Sequence, residues 1–128
     1  MRRIDGEGCP CGAGRSYDAC CGRLHRGSAE AKIAVELMRS RYSAFVLHDG
    51  DYLLATWHPQ QRPPRMVFPP GQRWTGLVIH STEAGGLLDT VGTVEFTATY
   101  EVRGVAHELH EISRFARLDG RWVYVAAR

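Results

Sequence analysis

The chain has 128 residues, of which 44% are hydrophobic and 23% are charged, a composition that fits one globular domain and excludes a disordered chain. Sixteen Lys and Arg residues against fourteen Asp and Glu residues give a formal net charge of +2, too near neutral to make nucleic acid the default partner. No apolar run approaches the roughly 20 residues of a membrane helix, and the polar start has no signal-peptide core. We therefore expect a cytoplasmic protein that does not contact a membrane.

The four cysteines of the chain form one cluster near its start, and they are Cys9, Cys11, Cys20 and Cys21. The adjacent pair would form a strained disulfide, and a cytoplasmic protein is kept reduced. Gly12 and Gly14 allow the chain to reverse, and residues 15–19 are expected to form about one helical turn that brings the second pair to the first. Four thiolates about 2.3 Å from a tetrahedral ion make a closed site, so we predict one structural Zn²⁺ held by these sulfurs. A redox or disulfide pair is the alternative, which no C-x-x-C motif favours.

The segment 9–22, CPCGAGRSYDACCG, resembles the SEC-C motif, a zinc-binding module also found at the C-terminus of the translocation motor SecA. Ala13 stands where the motif usually has Ser, a departure that touches no ligand, and Cys21 satisfies a fourth ligand position that is Cys or His in the family. The resemblance implies protein contacts, because the known uses of this module include contacts with the export chaperone SecB and with the ribosome.

Several cations lie in or beside this segment: Arg15, Arg23, His25 and Arg26. They can neutralise the thiolates, or they can bind an anionic partner such as RNA. Because Tyr17 is the one aromatic residue among them, nucleic acid is the less favoured alternative.

Two helices are predicted after the linker Gly27-Ser28, with Ser28 as the N-cap of the first. The residues that share one face of this first helix are Ala34, Leu37, Met38, Arg41 and Phe45, and Arg39 points away from them. A guanidinium in an apolar stripe must extend to solvent or find a carboxylate. A second short helix is expected over residues 51–57, and the stretch 60–73, with four prolines, is expected to form a loop.

From Trp74 onwards the hydrophobic period changes to two, which predicts strands near residues 74–83, 90–102, 105–118 and 121–127. The turn signals between them are Gly85-Gly86, Arg103-Gly104 and Asp119-Gly120. The last one suits a two-residue type I′ turn. The fold class is therefore predicted to be α+β, with an N-terminal zinc knuckle followed by two helices on a four-stranded antiparallel sheet.

Two-residue loops at the last two turns would fix the register of the strands. The expected cross-strand pairs are Val102 with Val105, Phe96 with Glu111, Leu118 with Arg121, and Phe115 with Tyr124. One face of the sheet then collects Leu77, Ile79, Val94, Phe96, Ala98, Tyr100, Leu109, Phe115, Trp122 and Tyr124. We expect the helices to cover this face.

Glu111 falls on the same apolar face, where a carboxylate must be paired, hydrogen-bonded or protonated. We predict that Arg41 reaches it and joins the first helix to the sheet. The alternative is a general acid or base in a pocket with Tyr100 and Trp122. His107 lies about 13 Å along the strand, too far to contact Glu111.

The string HELHE over residues 107–111 does not match the H-E-x-x-H metalloprotease motif. Its histidines are three residues apart and, on a strand, face opposite sides of the sheet. His58 and His80 are expected to be ordinary surface or interface histidines.

Three stretches, LMRSRYSAF at 37–45, HEISRF at 110–115 and GRWVY at 120–124, resemble the bacterial YchJ-like family. Its main domain is a nuclear transport factor 2-like, cystatin-like cone of helices packed into a curved antiparallel sheet. Together with the cysteine segment, this resemblance covers nearly the whole chain. It implies a SEC-C-type zinc-binding segment over residues 1–27 and a nuclear transport factor 2-like domain over residues 28–128.

The expected function is protein recognition, with the zinc segment as an adaptor toward translation or export machinery. The alternative is a small-molecule binder or enzyme that uses the cone cavity around Glu111, and the sequence contains no catalytic constellation. A homodimer through the sheet face that carries Thr97 and Thr99 is a habit of the superfamily and is a further expectation.

Overall fold

A computed structural model describes residues 8–128; residues 1–7, with which the predicted zinc-binding segment begins, lie outside the described residues. The helices are α1 (Cys21–His25), α2 (Ala34–Leu47) and α3 (Gly50–Ala55), and the strands are β1 (Gln72–Ala84), β2 (Val91–Val102), β3 (Val105–Leu118) and β4 (Arg121–Ala127). The strands form one antiparallel sheet in the order β1-β2-β3-β4. The predicted α+β fold with a four-stranded meander is confirmed. None of the described helices is long and apolar enough to cross a bilayer.

Both two-residue turns that set the register are confirmed. Arg103 and Gly104 have φ angles of 53° and 82°, and Asp119 and Gly120 have φ angles of 54° and 82°. Positive φ at both central positions is the type I′ geometry, which matches the twist of the flanking strands. All four predicted pairs are present: Val102–Val105, Phe96–Glu111, Leu118–Arg121 and Phe115–Tyr124.

The apolar face of the sheet packs against α2. The buried side chains of this core include Val94, Phe96, Ala98, Phe115 and Trp122 from the sheet and Ala34, Leu37, Met38 and Tyr42 from the helix. Leu109, expected in this core, is 38% exposed. Residues 103–110, which include the turn of the β2–β3 hairpin, are all exposed, so Leu109 lies outside the core.

Helix α2 begins later than predicted. The Ser28 hydroxyl accepts a hydrogen bond from Arg26 and caps no helix. The helix begins at Ala34, whose backbone N–H donates to the carbonyl of Gly85 at 2.9 Å. A Cβ atom on Gly85 would lie 2.8 Å from the Cβ of Ala34, and Gly85 has a φ of +78°. The N-terminus of α2 is therefore satisfied by the β1–β2 loop, a tertiary contact that replaces the expected N-cap.

Helix α2 is buried on more than the predicted stripe. Ser40, Ser43 and Ala44 are fully buried, in addition to the stripe residues that face the sheet. Arg39, expected to point away from the core, donates a hydrogen bond to the carbonyl of Cys11 at 2.7 Å. The second buried side of α2 is therefore covered by the cysteine segment.

Helix α3 is shorter than the predicted 51–57. The Asp49 side chain caps its N-terminus by accepting from the backbone N–H of Tyr52. At its end, the chain pairs with β4: Tyr124 N–H donates to Thr56, and His58 N–H donates to Tyr124, each at 2.8 Å. This pairing takes the backbone out of the helix before residue 57. The loop predicted over 60–73 is present, and β1 begins at its end.

Arg117 on β3 ties three connecting segments together. Its guanidinium stacks on Trp122, with Cζ 4.7 Å from the ring centroid. It donates hydrogen bonds of 2.8–3.4 Å to the backbone carbonyls of Lys32, Gly86, Leu87, Asp89 and Gly120. Only a planar, forked donor can reach so many acceptors and stack at the same time.

We predict that Arg117→Lys lowers the free energy of unfolding by roughly 1–3 kcal/mol, although the charge is kept, because an ammonium cannot span these carbonyls. Urea denaturation followed by tryptophan fluorescence measures the change. Arg121→Lys, at an exposed position on β4, is the matched control and should change stability by less than about 0.5 kcal/mol. Equal losses in the two variants would contradict the role given to Arg117.

Candidate metal centre

The first two cysteines lie on a tight loop at the start of the described chain. Cys9 N–H donates to the carbonyl of Arg15 at 2.8 Å, and Gly12 N–H donates to the carbonyl of Cys9 at 3.1 Å. Gly12 and Gly14 have φ angles of 80° and 90°, a region that other residues resist. The predicted reversal at these glycines is confirmed, and it turns the side chains of Cys9 and Cys11 toward the same point.

The second pair is positioned by a turn and a short helix. The helical turn expected over 15–19 is displaced: the carbonyl of Tyr17 accepts from Cys20 N–H at 3.0 Å and from Gly22 N–H at 2.8 Å, and α1 then begins at Cys21. A Cβ atom on Gly22 would lie 2.7 Å from this carbonyl oxygen. Gly22 therefore permits the close approach that delivers Cys20 and Cys21 to the first pair.

The four sulfurs meet at one buried point. All lie within 4.8 Å of one another, and none forms a disulfide. The Sγ atoms of Cys11 and Cys20 are 3.6 Å apart. A tetrahedron of sulfurs about 2.3 Å from a central ion has edges of about 3.8 Å, so this spacing fits a tetrahedral metal ion. The four side chains are 0–7% exposed, and the site is therefore closed to substrate.

Mutual contact and burial shift the pKa values of Cys9 and Cys21 in opposite directions. Hydrogen bonding from the Cys11 thiol holds the pKa of Cys9 well below its usual range. Hydrogen bonding to Cys11, together with Cys9 and burial, raises the pKa of Cys21 far above it. Thiols this close share protons because four buried negative charges would repel one another. A divalent ion held by these sulfurs would remove that repulsion, and the thiols would lose their protons to bind it.

Helix α2 supports the cluster through polar groups. The Ser43 hydroxyl lies 3.5 Å from the sulfur of Cys9, and the guanidinium of Arg39 donates to the carbonyl of Cys11 at 2.7 Å. Groups that contact metal ligands in this way orient them and tune their affinity. The structure therefore gives the cysteine loop a second layer of contacts that spacing alone does not reveal.

His25 joins α1 to the rest of the protein. Its Nε2 lies 2.8 Å from the Ser40 carbonyl, which can only accept, so Nε2 carries a proton and donates. Its Nδ1 lies 2.6 Å from the hydroxyl of Tyr17, and its ring packs on Tyr52 with centroids 4.6 Å apart. Both ring nitrogens are engaged within the protein, which leaves His25 no nitrogen for an anionic partner.

The predicted ion pair between Arg41 and Glu111 is wrong. Arg41 instead donates through Nη1 to the Leu53 carbonyl and the Thr56 hydroxyl, each at 2.7 Å, at the C-terminal end of α3. The negative end of the helix dipole attracts a cation there, and the Leu53 carbonyl also accepts from the Thr56 hydroxyl at 3.3 Å. Glu111 accepts from the Ser113 hydroxyl at 2.7 Å, so its carboxylate is hydrogen-bonded and not ion-paired.

Arg41 and Glu111 nevertheless line one cavity of about 270 Å³. Tyr100 and Trp122 were predicted to form a pocket with Glu111, but neither of them lines this cavity. Trp122 is in the core and donates to the Lys32 carbonyl, and Tyr100 stacks on His107 with centroids 5.2 Å apart.

The histidines of the HELHE string face opposite sides of the sheet, as predicted. His107 packs on Tyr100, whereas His110 hydrogen-bonds to Glu95 at 2.7 Å on the outer face. His80, expected at the surface, is exposed and contacts Thr97 there. The metalloprotease motif is therefore excluded by geometry as well as by spacing.

The fold and the cluster together define a class of protein: a small α+β domain with a curved antiparallel sheet and a buried four-cysteine knuckle docked on its main helix. A family model described as "YchJ, middle NTF2-like domain" matches residues 33–127. A UPF0225 protein of Streptomyces coelicolor is 57% identical, over 91% of this chain and 90% of that protein. A UPF0225 protein of Deinococcus radiodurans is 47% identical, over 93% and 87%. The chain belongs to this UPF0225, YchJ-like family, as the sequence predicted.

Two solved structures resemble the whole arrangement. The solution structure of a SEC-C motif containing protein from Rhodopseudomonas palustris has a TM-score of 0.82 and 32% identity, and covers 94% of this chain and 96% of that one. The crystal structure of a SEC-C motif containing protein from Psychrobacter arcticus has a TM-score of 0.75 and 26% identity, and covers 91% and 79%. The cysteine segment therefore belongs with a shared architecture and is not an isolated motif.

We predict that Gly22→Ala destabilises the protein by roughly 1–3 kcal/mol, because its Cβ would collide with the backbone of Tyr17. A loss of stability would be diagnostic, because Gly→Ala inside a helix ordinarily raises the free energy of unfolding by up to about 1 kcal/mol. Thermal unfolding in the presence of metal measures the change. The control is Gly50→Ala in α3, whose Cβ would meet Met66 at an ordinary 3.4 Å and should be neutral or stabilising. A Gly22→Ala protein as stable as this control would contradict the packing described for the knuckle.

Proposed function

We propose that Cys9, Cys11, Cys20 and Cys21 hold one structural zinc ion and that the resulting knuckle is a protein-recognition module. The observation that carries the metal is the convergence of four buried sulfurs within 4.8 Å. Thiolate ligands in a tetrahedral, closed arrangement are typical of structural zinc. Thiols that remain free to bind metal suit a reducing compartment, which supports a cytoplasmic location.

The zinc ion would supply the folding energy of the knuckle. Apart from its cysteines, Leu24 is the buried hydrophobic side chain that residues 8–27 contribute. So small an apolar core does not fold a segment by itself. Metal coordination can replace it, because the free energy of binding becomes free energy of folding.

The outer side of the knuckle is the candidate recognition surface. Residues 12–15 and 18–19 are exposed, while the cysteines on either side of them are buried. A metal-anchored loop presents such residues with little loss of conformational entropy on binding. By resemblance to the SEC-C motif, the partners to be tested first are SecB and the ribosome.

The charges around the knuckle favour a protein partner over nucleic acid. Arg23 pairs with Glu36 at 2.9 Å, and Arg26 lies 3.8 Å from Asp18. Arg23 and Arg26 are two of the cations that were considered for binding an anionic partner, and both are compensated by carboxylates of the chain. Phosphate binding draws on uncompensated Lys and Arg, of which the exposed Arg15 is the candidate here.

A second candidate function, small-molecule binding or catalysis in the cavity, is supported by Arg41 and Glu111 lining it together.

The homodimer through the face with Thr97 and Thr99 stays a prediction, and sedimentation of the purified protein would test it.

We expect freshly purified protein to contain about one zinc ion per chain by plasma mass spectrometry, and Cys20→Ser to lose it. Ser43→Ala should weaken zinc binding by roughly tenfold or more in competition with a chromophoric chelator, because its hydroxyl contacts the Cys9 sulfur. Ser40→Ala is the matched control on the same helix. Its hydroxyl bonds to Leu37 and Tyr52 and touches no cysteine, so zinc affinity should be unchanged. Full zinc occupancy in Cys20→Ser would refute the ligand set.

We expect zinc-loaded protein to bind purified SecB or ribosomes, and a double change on the exposed knuckle, Ala13→Glu with Arg15→Glu, to abolish that binding with the zinc content unchanged. Co-sedimentation and surface plasmon resonance measure it. Arg65→Glu with Ala106→Glu, at exposed positions outside the knuckle, makes the same changes of residue type and is the control, which should bind as the parent does. Binding to naked ribosomal RNA that matches binding to ribosomes would replace the protein partner by nucleic acid, and no binding to either target would refute the assigned partners.

A further inference from the structure

Aromatic walls surround the cavity that Arg41 and Glu111 share. Phe45, Trp57, Trp74 and Tyr124 line it, and its volume of about 270 Å³ lies near the lower end of the range for small-molecule pockets, which begins at about 300 Å³. The rings of Trp57 and Tyr124 meet edge to face with centroids 5.2 Å apart. The cavity is therefore suited to a single planar group held between rings.

Arg41 is buried in this cavity with part of its hydrogen-bonding capacity unused. It is 4% exposed, and its Nη1 donates both of its hydrogen bonds to acceptors at the end of α3. Its Nε and Nη2 donate no hydrogen bond within residues 8–128. Burial lowers the pKa of Arg41 to about 10, which leaves it protonated at neutral pH. The guanidinium lies over the rings of Trp57 and Tyr124, with Cζ 5.0 Å and 4.7 Å from their centroids, and its unused N–H groups are available to an acceptor that enters the cavity.

Trp57 supplies a second, independent donor. Its Nε1 is buried and has no hydrogen-bond partner among the described residues. The Cζ atom of Arg41 lies over the Trp57 ring, 5.0 Å from its centroid, so the guanidinium and the indole line the same part of the cavity. Neither the indole N–H nor the free nitrogens of Arg41 have an acceptor within residues 8–128.

Glu111 supplies an acceptor in the same cavity. Its Oε2 accepts from Ser113 at 2.7 Å and from Tyr124 at 3.4 Å, while its Oε1 accepts no hydrogen bond from a described residue. Burial raises the pKa of Tyr124 to about 12, so the phenol keeps the proton that it donates. The cavity thus offers unused N–H donors and an unused carboxylate oxygen, with formal charges that cancel.

We infer that this cavity binds a small, planar, neutral carboxamide or lactam. Its carbonyl accepts from Arg41 and Trp57, its N–H donates to Glu111, and its ring lies against the aromatic walls. A carboxylate ligand would meet the negative Glu111, and a cationic ligand would meet Arg41, so an uncharged donor–acceptor pair fits the two together. This inference deepens the second candidate function and is independent of the zinc-dependent proposal, whose metal content is measured separately on the same sample.

Three probes of nearly equal shape test this inference: benzamide, benzoate and benzamidine. In ¹H–¹⁵N NMR spectra of zinc-loaded protein, we expect benzamide to cause a saturable shift of the Trp57 indole N–H signal. That signal is assigned by its loss in Trp57→Phe. The indole N–H of Trp122, which already donates to Lys32, is the internal reference and should not shift. Benzamide should bind at least tenfold more tightly than either charged probe.

Two substitutions keep the inference falsifiable without removing Arg41, which also supports α3. Glu111→Gln should weaken benzamide binding roughly tenfold and reduce the ratio of the affinities for benzamide and benzoate. Glu108→Gln, at an exposed position on the same strand, should change neither the affinity nor the ratio. Trp57→Phe, in which binding is followed through the backbone amide signals because the indole signal is lost, should weaken benzamide binding severalfold. The inference is overturned if benzamide causes no saturable shift, if benzoate or benzamidine binds more tightly than benzamide, or if Glu111→Gln binds all three probes as the parent does.

Discussion

The packing of α2 between two unlike layers is the constraint on which the rest of the structure depends. Eight of its fourteen residues are buried, more than a single amphipathic stripe would bury. One side packs on hydrocarbon from the sheet, and the other packs on the sulfur cluster and on the backbone that carries it. Removal of either layer would expose a large part of the only long helix among the described elements, so the knuckle and the sheet stabilise each other through α2.

The contacts between α2 and the knuckle include several hydrogen bonds in addition to the packing of the sulfurs against the apolar side chains of the helix. Arg39 binds the loop through the Cys11 carbonyl, Ser43 contacts a sulfur, and the Ser40 carbonyl accepts from His25. Hydrogen bonds are directional, so these contacts fix the orientation of the knuckle as well as its position. A metal ion that draws the four sulfurs together would close this frame from the inside.

Local patterns predicted the sheet well because its register depends on local chemistry. The two turns with glycine at their second position force positive φ, and each turn then fixes every pair of its hairpin. Cysteine spacing similarly predicted which four side chains meet, because the glycines between them set the direction of the loop. The clustering of the sulfurs in the structure agrees with that part of the sequence interpretation.

The interactions that the sequence did not predict are those in which a side chain chooses among distant partners. Arg41 was expected to bind the carboxylate on the apolar face, yet it donates to the Leu53 carbonyl and the Thr56 hydroxyl at the end of α3. Ser28 is of a residue type that commonly caps helices, but the backbone N–H of Ala34 donates to the carbonyl of Gly85, which is distant in sequence. Arg117 gives no periodic signal, since its acceptors are backbone atoms in three separate segments.

The misassigned Arg41 is also the residue that gives the cavity its chemical character. Had Arg41 reached Glu111, the two charges would have satisfied each other and left a cavity with apolar walls alone. Because α3 takes only Nη1, the remaining donors and the free oxygen of Glu111 stay available in a cavity of about 270 Å³, too small for a large ligand. Helix α2 thus contacts the knuckle through the Ser40 carbonyl and the Ser43 hydroxyl and lines the cavity with Arg41 and Tyr42, so the position of this one helix determines the geometry of both sites.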